Sequence, residues 1–453
     1  MSNAAEFDFE VRCPIHGSIA FNARERDIIN HPFVQRLRNI SQLGLAHLVF
    51  PGATHTRFSH ALGVMHLTGR VFDQLLRGLD RDGSVALPPE ERERARQIAR
   101  LAGLLHDLGH PPFSHTYEPL LPERRALALP RDWYARIDLG GRATHEDFSV
   151  AAIYALSQEA PRLLDPDEAR DICALIDQTI LPSATLTHAG QRSRQNLYPL
   201  LKQTISGEVD ADRMDYLRRD AQFAGVAYGN FDLERLIQSL SSWETPRGRM
   251  MAIDQSAIYA YENFLMARFH MAMQVYYHKT LLAFEYCLTQ AVREGEITLE
   301  LDGSLAGYMA AREDVVLAKL FAARKRPWSS RIVNRRPLRR VLELHEPEAS
   351  RVRRQVLERL AEAKIEFVHI REQRTLSALG QDPESFPVYV RETVLGRVRV
   401  VPLHEASVLL GKYNQMFRIE NIYCDAADFD RAVQVLEPIV GQDPVDSRTR
   451  AGV

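Results

Sequence analysis

His106 and Asp107 stand side by side in Leu104-Leu105-His106-Asp107-Leu108-Gly109-His110, at the end of an apolar stretch. An imidazole next to a carboxylate offers nitrogen and oxygen donors to one divalent cation. Two donors do not hold an ion, so further ligands must come from elsewhere in the chain. His60, in Arg57-Phe58-Ser59-His60, and Asp212, in Asp210-Ala211-Asp212-Arg213, are the candidates. Two histidines and two carboxylates suit Mn, Fe, Co, Ni or Zn, and Mg less readily. Water would complete such a shell and act as a nucleophile or a bridging ligand. The competing reading of any one of these histidines is a core residue satisfied by hydrogen bonds.

The surrounding elements must bring these residues to one point. Ile98, Leu101, Ala102 and Leu105 fall on one face of a helix, which delivers His106 and Asp107 from a buried end. Gly109 and Pro111-Pro112 then stop it. Apolar side chains at three- and four-residue spacing also predict helix within 60–80, 96–106, 147–157, 169–180, 231–240 and 255–292. Strand-like alternation is scarce over the first 290 residues. Residues 121–143 and 182–197, with their prolines and glycines, read as loops. Beyond about residue 295 the character changes. Ile365–Ile370, Val388–Val394 and Val398–Val401 alternate and are β-branched, with helical stretches near 349–363 and 426–437. The expected fold is mainly α, with a helical core over 1–295. A smaller C-terminal α+β lobe over 296–453 would serve accessory or oligomerisation contacts.

Composition narrows the function classes. The 453 residues are 45% hydrophobic and 26% charged, which excludes a disordered chain and a fibrous repeat. Net charge is −2, from 57 Lys+Arg against 59 Asp+Glu, so indiscriminate nucleic-acid binding is not implied. An anionic ligand must then be held by a local cluster of cations. One cluster is Arg324, Lys325, Arg326, Arg331, Arg335, Arg336, Arg339 and Arg340, with no acidic residue among them. It reads either as a solvated surface with salt bridges or as an anion site for a regulatory nucleotide or nucleic acid. Cys13, Cys173, Cys287 and Cys424 form no CxxC pair, which predicts free thiols in a reducing, cytoplasmic setting. No run long and apolar enough for a membrane span is present, and no signal peptide is evident.

The order His60, His106-Asp107, Asp212 resembles the signature of the HD-domain phosphohydrolases. The likeness extends to PIHGSI (14–19), FVQRLR (33–38), QLG (42–44) and VFPGATHTRFSHALGV (49–64). It continues in HDLGHPPFSH (106–115), THE (144–146), EVDADRMDYLRRD (208–220) and YYHK (276–279). Over roughly residues 8–290 these strings are similar to the deoxynucleoside triphosphate triphosphohydrolase branch. The C-terminal lobe matches only in general position.

That resemblance implies hydrolysis of a dNTP to a deoxynucleoside and inorganic tripolyphosphate. It implies that Arg57, Arg213, Tyr216, Arg268, Tyr276 and Lys279 contact the phosphates or their neighbourhood. A triphosphate needs such a local field. His115 and Glu118 are three apart, so on a helical turn the carboxylate orients the imidazole for acid–base work. His110 and His145 are further candidates, and which of them donates the proton stays open. The resemblance places Asp220 and Gln42 on the 3′-hydroxyl, Leu43 on the sugar and Tyr276 against C2′, where crowding would reject ribose. Relatives assemble as dimers, tetramers or hexamers with nucleotides between subunits, which implies a homo-oligomer, expected as a tetramer. Val11–His16 resembles part of such an effector site. Two positions depart from the vertebrate pattern, Arg213 for Lys and Glu118 for Asp.

Two other readings compete. One keeps the metal and changes the substrate to a nucleoside monophosphate, an alarmone or a cyclic nucleotide. The other is a nucleotide sensor or nucleic-acid-binding regulator, with the basic segment 324–340 as its support.

Overall fold

The computed structural model describes residues 7–81, 87–183, 186, 196–246, 248–298, 304–345, 349–375, 388–394, 397–413 and 416–440. Most of the loop expected over 182–197 lies outside the described residues. An antiparallel hairpin, β1 (Phe9–Cys13) and β2 (Gly17–Phe21), opens the fold. Short helices α1 (Ala23–Ile29) and α2 (Pro32–Arg36) follow. The spine is α3 (Arg57–Arg81), flanked by α4 (Pro89–Leu105). Next come α5 (His145–Glu159), α6 (Pro166–Ile176), α7 (Tyr198–Ile205) and α8 (Ala211–Ala224). The α5 start is fixed by a capping box of Thr144 and Asp147, a device that stabilises a helix by about 1 kcal/mol. Ile98, Leu101, Ala102 and Leu105 of α4 are fully buried with Ile153, Leu156 and Ile172 in the largest core.

Helix α9 (Leu233–Gln238) leads into β3 (Leu240–Thr245) and β4 (Gly248–Asp254), then α10 (Ile258–Met271) and α11 (Lys279–Arg293). Three helices, α12 (Leu305–Ala310), α13 (Glu313–Ala322) and α14 (Pro327–Val333), turn back onto the preceding helices. Tyr308 of α12 joins the largest core and stacks on Phe148, ring centroids 3.5 Å apart. The rest is β5 (Arg339–His345), α15 (Ala349–Glu362), β6 (Phe367–Thr375), β7 (Tyr389–Val394), β8 (Arg397–Pro402), α16 (Leu403–Ala406), α17 (Val408–Tyr413), β9 (Met416–Cys424) and α18 (Phe429–Val440). The order β5-β9-β6 forms an antiparallel sheet, covered on one face by α15 and α18. A second sheet runs β3-β4-β7-β8, and its β4–β7 pairing is parallel.

The fold is mainly α with small sheets concentrated toward the C-terminus, as expected. Three local readings need correction. Strands occur in the region read as helical: the β1–β2 hairpin and β3–β4. Five-residue strands such as β1 carry too few repeats for a period-two signal to stand out. The stretch 255–292 is not one helix. A π turn over Ala272–Tyr276 ends α10, and His278 caps α11 by accepting from the Thr280 N–H. The predicted helices 169–180 and 231–240 stop early, at Ile176 and Gln238, where Asp177 is extended and Leu240 starts a strand.

Candidate active site

Three helix ends meet at the candidate metal ligands. His60 lies in the first turn of α3, His106 and Asp107 follow the last residue of α4, and Asp212 lies in the first turn of α8. Close approach of α3 and α8 requires Gly63, because a Cβ there would collide with the Asp215 carboxylate. His60 Nε2 is 3.0 Å from Asp212 Oδ1 and 3.7 Å from Asp107 Oδ2. His106 Nε2 is 3.3 Å from Asp107 Oδ1 and 3.6 Å from Asp212 Oδ1. Ligand atoms of His60, His106 and Asp212 all lie within 4.8 Å of one another.

The donor set fits a divalent cation. His106 Nδ1 donates to the Gly103 carbonyl at 2.9 Å, so Nε2 keeps its lone pair. That Nε2 is buried without a hydrogen-bond partner, a situation that costs about 1–3 kcal/mol if nothing occupies it. Burial works against charge on His60. Its hydrogen bonds with Asp212 and Asp215 outweigh burial and raise the imidazole to about 10. Asp212 is pulled below the usual carboxylate range by His106 and His60, despite its burial. Buried carboxylates that draw protons onto neighbouring imidazoles mark a pocket that favours positive charge.

Support for the ligands comes from behind. His60 Nδ1 donates to Asp215 Oδ2 at 2.8 Å. Asp215 is gripped by Arg219, Nε at 2.7 Å and Nη2 at 2.9 Å, and by His16 Nε2 at 2.6 Å. Such carboxylates fix the tautomer and orientation of a metal-binding imidazole. Sequence reasoning missed Asp215, Arg219 and this role of His16. The i,i+4 spacing of Asp215 and Arg219 was a readable signal for their pairing. Nothing local connects His16 to residue 215.

A second cluster lies beside the first. His110 Nε2 is 3.3 Å from Asp107 Oδ1, and its ring stacks on His145 with centroids 3.9 Å apart. Glu118 Oε1 accepts from His145 Nδ1 at 2.7 Å, and Oε2 is 3.1 Å from His115 Nδ1. Burial raises the Glu118 carboxyl, but the hydrogen bonds from His115 and His145 prevail and hold it well below the usual range. Burial, with Arg57 and His145 adding to it, pushes His110 well below its ordinary value and keeps it neutral. The His115 side chain is 69% exposed and stands at the mouth of the cluster. A Cβ at Gly109 would strike the His145 carbonyl, so this glycine lets the start of α5 reach the loop.

The remaining candidates fall in two groups. Arg57 donates from Nε to Ser114 Oγ at 2.8 Å and from Nη1 to Asp107, beside the metal ligands. The Tyr276 hydroxyl donates to Asp220 Oδ2 at 2.9 Å, and Tyr216 lies 6.1 Å from the Tyr276 ring. His55 Nε2 is 2.7 Å from Asp220 Oδ1, and the His55 carbonyl accepts from the Gln42 N–H at 3.0 Å. Gln42 is buried with its Oε1 unpaired, and Leu43 packs between two cores. His55 was not singled out in the sequence. Arg213 turns back to Asp210 and the Gly207 carbonyl, and Arg268 pairs with Glu208 at 3.2 Å. Both cations are therefore engaged by protein groups. Lys279 opens α11, and its carbonyl accepts from the Tyr423 hydroxyl at 2.9 Å.

Part of the basic segment 324–340 is tied up by contacts within the C-terminal lobe. Arg331 pairs with Asp425, Arg340 donates to Asn421 Oδ1 at 3.1 Å, and Arg339 lies 3.6 Å over the Phe429 ring. The four cysteines are free. Among the described residues no helix is long and apolar enough to cross a membrane.

Residues 57–220 match the HD domain and residues 231–421 match the HD associated region. The uncharacterized protein YwfO of Bacillus subtilis is 32% identical over 272 residues, 60% of this chain and 52% of that protein. The human deoxynucleoside triphosphate triphosphohydrolase SAMHD1 is 31% identical over 308 residues, 64% of this chain and 45% of that protein. The chain thus spans about half the length of the curated relatives it matches. A hypothetical protein from Aquifex aeolicus has a similar structure, with a TM-score of 0.68 and 28% identity. That match covers 94% of this chain and 99% of the other.

Proposed function

From the premise that this chain belongs to the HD-domain family, a family of phosphohydrolases, we propose that it hydrolyses deoxynucleoside triphosphates to deoxynucleoside and tripolyphosphate. The observation that carries this reading is adjacency. The His60, His106, Asp107 and Asp212 donors share Asp107 with both Arg57 and the His110–His145–Glu118–His115 cluster. The likeness to proteins named as deoxynucleoside triphosphate triphosphohydrolases supports the substrate class.

A divalent metal held by those four ligands would polarise a phosphate oxygen and balance developing charge. The chain's own groups do the rest. Arg57 binds a phosphate oxygen next to the ligands. Water oxygen joins the α-phosphorus, the bond from that phosphorus to O5′ breaks, and O5′ takes a proton. His115 is placed to deliver that proton: it is exposed at the mouth and held by Glu118, which also fixes His145. Neutral His110 donates from Nε2 to the Asp107 carboxylate and packs His145 in place. Asp220 holds the 3′-hydroxyl beside Gln42 and Leu43, and Tyr276 on Asp220 crowds a 2′-hydroxyl. Tyr216 lines the same side. Nucleotide activation, a homo-oligomer of tetrameric form and a cytoplasmic setting extend the proposal. The hairpin carrying Val11–His16 supports activation, because its His16 reaches Asp215 behind His60.

One observation favours a second reading, in which the substrate carries fewer phosphates. Arg213 and Arg268 are occupied by Asp210 and Glu208, which leaves less cationic field for a triphosphate. Product analysis separates the two. Purified protein is incubated with each dNTP and with GTP, singly and mixed, with Mg, Mn or Co. Deoxynucleoside plus tripolyphosphate is the expected result. Orthophosphate or pyrophosphate as product moves the substrate elsewhere among nucleotides, and no turnover with any metal overturns the proposal.

A further inference from the structure

The HD associated region contributes one carboxylate to the heart of the HD site. Glu313, the first residue of α13, is 8% exposed and lies 200 residues or more in sequence from the groups it binds. Its Oε1 accepts from the Ser41 N–H at 2.8 Å and from the Phe113 N–H at 2.9 Å, and its Oε2 accepts from the Ser41 hydroxyl at 2.5 Å. It therefore ties the segment just before Gln42 and Leu43 to the turn just before His115.

That turn needs holding. Phe113 and Ser114 are successive non-glycine residues in the left-handed region, with φ of 60° and 54°. Such a conformation persists only when its surroundings over-determine it. Ser114 Oγ donates to the Ser41 carbonyl at 2.9 Å and accepts from Arg57 Nε at 2.8 Å. Arg57 in turn donates to Asp107. An unbroken chain of hydrogen bonds thus runs from Glu313 through Ser41, Phe113 and Ser114 to the guanidinium beside the metal ligands. Two further contacts tie the same region to this loop. The Tyr308 hydroxyl donates to the Gly109 carbonyl, and Arg36 links the His110 carbonyl at 2.9 Å to the Ala311 carbonyl at 3.2 Å.

We propose that Glu313 is a positioning residue of the phosphohydrolase site: it clamps Ser41 to Phe113 and thereby sets Ser114 and the phosphate-binding Arg57. The proposal rests on the assignment of Arg57 to a substrate phosphate. A residue that merely stabilised α13 would act independently of Arg57. A positioning residue acts through it, so its effect disappears when Arg57 is gone.

The test is a double-mutant cycle on the metal-loaded, full-length protein. Glu313→Ala, Arg57→Ala and the double variant are compared with wild type by kcat and KM for dNTP. Displacement of a reacting group by about an ångström is worth about 100-fold, and a loss of that order in kcat/KM is expected for Glu313→Ala. Little further loss is expected in the Arg57→Ala background. Glu313→Gln restores most of the activity, since its amide oxygen accepts both N–H groups and its amide nitrogen donates to the Ser41 hydroxyl. Should Glu313→Ala not fold, Ser114→Ala removes the hydroxyl that joins the Ser41 carbonyl to Arg57 and leaves Glu313 in place, and a smaller loss, again absent in Arg57→Ala, is expected. Additive effects, or a loss that tracks only the folded fraction, overturn the proposal. Wild type inactive on every dNTP overturns the functional reading instead. The clamp is then judged by calorimetric affinity for inorganic tripolyphosphate in the same variants. Weaker binding in Glu313→Ala but not on top of Arg57→Ala upholds it, and unchanged affinity overturns it.

Discussion

The candidate metal ligands stand at the ends of helices of 25, 17 and 14 residues, whereas His115 and Glu118 stand on two three-residue 3-10 turns. The difference extends to burial. The contrast is sharpest between two histidines: His60 is sealed in the interior, while His115 is 69% exposed. It extends to backbone as well, because left-handed Phe113 and Ser114 open the turns, and none of the ligand-bearing helix ends carries such a residue. Ligands of an ion must keep mutual distances within tenths of an ångström, which long packed helices provide. A group that meets a substrate must stay accessible to solvent and adjustable, which a short turn held by side chains provides.

The contrast can be broken experimentally. The largest effect is expected at the helix ends. His106→Ala should release the metal, measured by elemental analysis, and abolish turnover while circular dichroism stays unchanged. Retention of a full metal complement with normal turnover would remove His106 from the site. The next effect sits on the turns. Glu118→Gln should lower kcat by about 10²-fold, the scale of one lost acid–base partner, and leave metal content intact. Loss of metal in this variant would mean that the two regions are a single unit. The smallest effect concerns Glu285 of α11, which accepts from the Thr116 hydroxyl at 3.2 Å. Burial raises its carboxyl to about 7, with Glu372 adding to the rise. A folded-state value above the unfolded value of 4.5 stabilises the fold fully below about 4.5, and that stabilisation is lost as pH rises through about 7. Between these limits Tm should fall more steeply in wild type than in Glu285→Gln. Parallel Tm profiles would show that the carboxyl is ionised throughout.

The two regions also differ in how far the amino-acid order revealed them. His60 and His106-Asp107 were legible as candidates because each sits at a helix end marked by an apolar period or a breaker, whereas Asp212 was reached through the resemblance of the His, His-Asp, Asp order. Asp215 was passed over because an Asp four residues before an Arg reads as an ordinary surface pair, although both side chains are fully buried. His16, His55 and Glu313 were illegible for a stronger reason. Their partners lie 199, 165 and up to 272 residues away, and no spacing rule spans such distances. Arg213 and Arg268 show the converse failure. Their charge was visible, but not the Asp210 and Glu208 carboxylates that engage them.

The parallel pairing of β4 with β7 has a consequence for the chain as a whole. Ala252, Ile253 and Asp254 lie against Tyr389, Val390 and Arg391, so one sheet is woven from segments on both sides of residue 295. A cut near that position would strip β4 of an inner neighbour and expose a row of unpaired amides and carbonyls. It would also detach Glu313 and Tyr308 from the loop carrying Gly109 and Phe113. The β3-β4-β7-β8 sheet is complete in neither half, and heat should melt both in one cooperative transition.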